Sequence, residues 1–113
     1  MMMDWTQYRN QLFATLGEID SISPAILKAN ELISSAAPAH PKLDTKMREL
    51  IALAVAVTTR CDGCISVHAA AARAAGATKD ELVEVLGIAI ALNSGAALIY
   101  TARAFDAFSQ SSD

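Results

Sequence analysis

Glu49-Leu-Ile-Ala-Leu-Ala-Val-Ala-Val-Thr-Thr-Arg-Cys-Asp-Gly-Cys-Ile-Ser-Val-His68 is the stretch on which the reading of this chain turns. Its first half, Leu50 to Val57, has no polar residue on any side, which predicts a central helix buried all round rather than one lying on a surface. Its second half holds both cysteines of the chain, Cys61 and Cys64, as a C-x-x-C pair, with His68 beyond them. A tight turn near Thr58 to Arg60 would fold the two halves into an antiparallel helix pair, in which residues equidistant from the turn face each other. Glu49 lies about ten residues before that turn and His68 about nine after it, or roughly 13–15 Å along either arm at about 1.5 Å per residue. A carboxylate, an imidazole and two thiols are thereby predicted in one line, with Glu49 beside His68.

Working outward, proline and glycine fall almost entirely between periodic segments, so the element boundaries are legible. Tyr8, Leu12, Phe13 and Leu16 stand at helical spacing and predict a first helix over about Asp4 to Gly17. Ser23-Pro24 reads as an N-cap followed by proline at the first helical position, opening a second helix to about Ala36. Ala37 to Leu43, with two prolines and His40, reads as a loop. Asp44 or Thr45 caps the third helix, which runs to about Thr59. The fourth begins near Cys61 or Asp62 and ends by Gly76, a glycine suited to the position after a helix C-terminus. Thr78-Lys-Asp-Glu81 is a capping-box pattern that opens a fifth helix to about Leu92. Asn93-Ser94-Gly95 is read as a break, with a sixth helix over about Ala96 to Phe108. Nowhere is there sustained alternation of period two. Alanine, the best helix former, occurs 23 times and lets helices approach closely. The expectation is an all-α chain, one compact domain over residues 1–113 with about six helices.

The totals bound what such a domain can be. At 113 residues there is room for one core. The chain is 53% hydrophobic and 19% charged, with a mean hydropathy of +0.32, so apolar surface is expected to be buried between subunits. A net charge of −3 with scattered basic residues argues against a nucleic-acid partner. The apolar runs Leu50 to Val57 and Val85 to Leu92 are each eight residues long, far short of a membrane span. Met-Met-Met-Asp-Trp lacks the basic start and long apolar core of a signal peptide. A cytoplasmic protein without a membrane or nucleic-acid partner is expected.

In a reducing compartment, two close cysteines point to redox chemistry or metal binding rather than to a permanent staple. A thiol attacks as the thiolate, which is favoured at a helix N-terminus and beside a positive or basic group. Cys61 and Cys64 stand at such an N-terminus, next to Arg60 and within reach of His68; Asp62 works against the thiolate. Once a thiolate has attacked a peroxide it becomes a sulfenic acid, and a second thiol on the same turn condenses with it to a disulfide. The helix dipole favours Cys61 as the attacking residue and His68 at i+4 favours Cys64, with the balance tilting to Cys64. Glu49 needs a partner if buried, and His68 could be that partner, its tautomer fixed by the carboxylate.

The pattern Glu49, Cys61-Asp62-Gly63-Cys64, His68, followed by Ala72-x-x-Ala75-Gly76-Ala77-Thr78-x-x-Glu81-Leu82, resembles the alkylhydroperoxidase D-like branch of the carboxymuconolactone decarboxylase family. The resemblance covers roughly Leu43 to Phe105. It implies an all-helical fold and a homotrimer or homohexamer. It also implies a thiol-dependent peroxidase or disulfide-exchange activity with Glu49, Cys61, Cys64 and His68 as proton relay and redox pair. The substrate would be a small hydroperoxide or disulfide, and a dithiol reductant would restore the pair. No cofactor and no metal are implied. At one position the chain departs from the pattern: peroxidase members carry a second histidine inside the C-x-x-C, where this chain has Gly63.

Other readings compete. The cysteines could be small core hydrophobes. With His68 they could supply three zinc ligands, but a structural site usually wants four. Glu49 could be a solvated partner of Lys46 at i−3. His40 reads as a surface residue, and Tyr8, Phe13, Tyr100, Phe105 and Phe108 as core or subunit interface. At the level of function, the alternatives are a lyase acting on a carboxylated lactone, or a helical oligomerisation module without catalysis.

Overall fold

The computed structural model describes residues 1–112 and contains five helices and no strand among them. They are α1 (Trp5–Ile22), α2 (Pro24–Ser34), α3 (Thr45–Thr59), α4 (Asp62–Ala74) and α5 (Lys79–Gln110). The all-α class is as expected. The count is one fewer than the sequence predicts, because two segments are a single helix.

Most starts and stops follow side-chain chemistry. Asp4 accepts a hydrogen bond from the Gln7 N–H at 3.0 Å and opens α1. Asp44 does the same for the Met47 N–H at 2.8 Å and opens α3, and Thr78 accepts from the Glu81 N–H at 3.1 Å to open α5. Each satisfies a backbone donor that has no partner inside the helix. Glu81 does not complete the capping box; its carboxylate reaches Lys46 Nζ on α3 at 3.0 Å and ties the two helices together. α1 runs five residues beyond the expected Gly17, since a single interior glycine weakens a helix by only about 1 kcal/mol. It is Pro24 that ends it, by pushing Ser23 out of the helical region (φ −139°, ψ 84°). Ser23 then precedes α2 as expected, but makes no side-chain cap.

At the other end of α4, Gly76 takes φ +90°, and the Ala77 N–H reaches back to the Ala72 carbonyl at 3.0 Å. This is the left-handed glycine stop that the sequence predicts.

The break expected at Asn93-Ser94-Gly95 does not form. Asn93 turns its amide back to donate to the Ala89 carbonyl at 2.7 Å, which occupies the side chain inside the helix instead of at a cap. α5 therefore continues for 32 residues. With the two segments fused, α5 is long and apolar enough, by length and composition, to cross a membrane. The separate runs of eight residues give no hint of this.

α3 and α4 fold back on each other, α5 lies along α3, and α1 packs on both α2 and α4. The molecule is 56 Å in its longest dimension. Leu50, Leu53 and Ala72 form the core, with Ala77, Leu82 and Val85 packed against them. The expectation that α3 is buried all round needs correcting for the single chain. Leu50, Leu53 and Ala56 are buried, but Val55 is 55% exposed and Ile51 44%. One stripe of α3 meets α4 and α5, and the rest is open. The aromatic residues follow suit: Phe13, Tyr100, Phe105 and Phe108 are exposed rather than in the core of this chain.

Candidate functional site

The site is built at the α3–α4 turn. α3 ends on Arg60, whose φ of 55° makes it the only non-glycine residue with positive φ among the described residues. The Cys61 N–H then bonds to the Ala56 carbonyl at 3.1 Å. A left-handed residue closing a helix is usually glycine, and an arginine there carries strain of roughly 1–2 kcal/mol. The turn it makes is tight enough to set α4 directly against α3.

α4 starts with sulfur as its cap. Cys61 is the N-cap residue, and its Sγ accepts from the Cys64 N–H at 3.1 Å. The same two residues are joined as a disulfide, with Cα atoms 5.2 Å apart. Two cysteines on the first turn of a helix can close this bond without rearranging the backbone, because the turn already brings their side chains onto one side. Both are half-buried.

One turn further along the same stripe stands His68, and Glu49 faces it from α3. His68 Nδ1 and Glu49 Oε2 are 2.6 Å apart. The histidine side chain is 36% exposed and that of the glutamate 22%. An ionised carboxylate only accepts, so the contact requires the proton on Nδ1 and leaves Nε2 as the ring nitrogen able to exchange a proton. The structure thus brings Glu49 and His68 together as expected and sets the cysteine pair one to two turns back along α4. Lys46 pairs with Glu81 rather than with Glu49. His40 is exposed in the loop before α3. Among the described residues, no group of three or more His, Cys, Asp or Glu side chains is clustered to hold a metal ion.

Some supporting contacts carry no sequence signal. Arg9 Nη1 on α1 donates to the Ser66 carbonyl at 2.9 Å. Buried Ser66 turns its hydroxyl to the Gly63 carbonyl at 2.9 Å. Gly63 lies under α1, where an added Cβ would come within 2.9 Å of Leu12 Cδ2. α1 thus covers the side of the C-x-x-C turn that carries Gly63. A side chain at position 63 requires Leu12 to swing away.

As chemistry, the arrangement offers a dithiol/disulfide couple at a helix N-terminus, where the dipole favours a thiolate. Beside it stands an imidazole whose Nε2, not engaged by Glu49, can take up or deliver a proton.

The pattern of the carboxymuconolactone decarboxylase family matches residues 24–107. An uncharacterized protein of Haemophilus influenzae is 47% identical over 109 residues, 96% of either chain. Another, from Cupriavidus necator, is 35% identical over 99 residues, covering 88% of this chain and 85% of its own. The crystal structure of a carboxymuconolactone decarboxylase family protein from Legionella pneumophila, solved in the apo form, superposes with a TM-score of 0.72. It is 32% identical, with 94% of this chain and 95% of that one covered. With a family match spanning most of its length and a fold that agrees, the chain belongs to the carboxymuconolactone decarboxylase family.

Proposed function

We propose that the protein is a thiol-dependent oxidoreductase that reduces a small hydroperoxide, or exchanges a disulfide, through Cys61 and Cys64. The observation that carries this reading is the 2.6 Å contact between Glu49 and His68 on the same stripe as the cysteine pair. A cysteine thiolate attacks the outer oxygen of R–OOH; the O–O bond breaks, the sulfur is oxidised to sulfenic acid, and the alkoxide leaves as R–OH after taking a proton. His68 supplies that proton from Nε2, while Glu49 holds the imidazolium that precedes it. The second thiol then displaces water from the sulfenic acid and closes the disulfide. A dithiol reductant restores both thiols and becomes a disulfide itself. Cys64 is assigned the attack, since it stands four residues before His68 on one helix face.

Treating the reduced protein with one equivalent of peroxide should remove two titratable thiols and release one alcohol. In Cys64→Ser, peroxide consumption should fall to background. Thiols that stay unreacted in the native protein would sink the proposal. The reaction is assigned to the cytoplasm, where dithiol reductants are available.

The second reading is a lyase acting on a carboxylated lactone, supported by the family's name and by an acid–base pair that needs no thiol. Lactone turnover that survives Cys61→Ser and Cys64→Ser would select it.

We also propose a homotrimer or homohexamer. The support is the apolar surface that the single chain leaves open, with Val55, Ile88, Ile90, Leu92 and Leu98 each more than half exposed. Isolated monomers rarely carry so much contiguous apolar surface. Sedimentation in detergent-free buffer tests it, and a soluble monomer would overturn it.

A further inference from the structure

A cleft of about 580 Å³ is lined by the first turns of α1 and α5 and by the middle of α3 and α4. Its volume is in the range of small-molecule sites, roughly 300–1,000 Å³. Glu49, Cys61, Cys64 and His68 are not among the residues that line it.

The cleft is divided chemically. Leu50 and Leu53 of α3, both buried, and Leu82 of α5 make an apolar floor. Around it stand three cations from three helices: Arg9, Arg73 and Lys79. No acidic residue lines the cleft. Among the described residues, none of the three cations is in an ion pair. Arg9 uses Nη1 on the Ser66 carbonyl at 2.9 Å, but a guanidinium has five N–H donors in a planar fork, so others remain for a ligand. Glu81, a short way into α5, is held by Lys46. In a chain with a net charge of −3, three cations around one apolar cleft are a local reversal of sign. They favour an anion, while the floor favours a hydrocarbon.

We propose that this cleft binds an amphipathic organic anion, an aliphatic carboxylate. Its tail lies along Leu50, Leu53 and Leu82, and its head group meets Arg9, Arg73 and Lys79. No thiol takes part, so the test is made without peroxide, and its failure leaves the redox reading untouched.

Trp5 lines the cleft and is the sole tryptophan, which gives a built-in reporter. Dodecanoate below its micelle concentration should change Trp5 emission saturably, and calorimetry should give the same affinity. Dodecan-1-ol, with the same tail and no charge, should bind about tenfold or more weakly, equivalent to the loss of one charge-assisted contact. Arg73 and Lys79 are exposed, so the double variant Arg73→Ala, Lys79→Ala should fold, as circular dichroism would verify. It should lose about tenfold in dodecanoate affinity while leaving the alcohol's unchanged. No saturable binding, equal binding of acid and alcohol, or an unaffected double variant would each overturn the proposal.

Discussion

His68 on α4 and Glu49 on α3 meet through a single contact, Nδ1 to Oε2 at 2.6 Å, across the turn made by a left-handed Arg60. Both side chains are partly covered, that of Glu49 more than that of His68. With Nδ1 engaged by the carboxylate, Nε2 is the ring nitrogen left to exchange a proton.

Replacing Glu49 with glutamine removes the carboxylate but leaves an acceptor for Nδ1–H. Peroxide-driven thiol loss should slow by about 10²-fold, the lower end of what positioned acid–base groups supply. His68→Ala should slow it at least as much, and the double variant should add little, because the two act as one unit. Stopped-flow thiol consumption checks this. Additive losses would show that the two residues act separately.

The disulfide closes a very short loop, so it should stabilise the fold less than a long-range cross-link would. Chain-entropy arithmetic for so few residues gives at most about 2 kcal/mol, and reduction should lower Tm by no more than roughly 10 °C. Cys61 also caps α4. In reducing buffer Cys61→Ser should be as stable as the parent, since serine is a good N-cap, whereas Cys61→Ala should lose about 1 kcal/mol. Thermal melts of the two variants would reveal a cap with no role if they coincide.

Arg60 carries positive φ at a position that glycine fills without strain. Arg60→Gly should remove roughly 1–2 kcal/mol of strain and give back about 0.5–1 kcal/mol in unfolded-chain entropy, for a net gain of about 0.5–1 kcal/mol. Denaturant midpoints would test it, and a clear loss of stability would mean that the arginine side chain has a partner that outweighs the strain.

Gly63 and Leu12 should be energetically coupled. An alanine at position 63 gains about 1 kcal/mol of helix propensity but brings its Cβ against Leu12 Cδ2. Gly63→Ala alone should be close to neutral. In a Leu12→Ala background the same change should stabilise by about 1 kcal/mol, which a double-mutant cycle would read directly.

The proposed assembly should break when one apolar seam is charged. Ile51, Val55, Ile88 and Leu92 line an apolar groove between α3 and α5 and are exposed in the single chain. Ile88→Glu should leave the helix content unchanged and shift sedimentation toward the monomer, since an unpaired charge in an interface core costs several kcal/mol. An unchanged oligomer would place the interface elsewhere.

What could be read from the sequence was whatever depends on neighbours along the chain. The caps at Asp44 and Thr78, the stop at Gly76 and the stripe of Cys61, Cys64 and His68 are set by spacings of three or four residues, so helical periodicity reveals them. The pairing of Glu49 with His68 was also within reach, because a short turn makes the partner across it a matter of counting. The tertiary structure decided the rest. Asn93 bonded back into its own helix rather than capping one, and α5 stayed whole. Glu81 chose Lys46 over the capping box. Arg9 found the Ser66 carbonyl, and Leu12 closed over Gly63. The last three join groups whose separation in the chain carries no information about their distance in space, and each was settled by which surfaces the packed helices brought together.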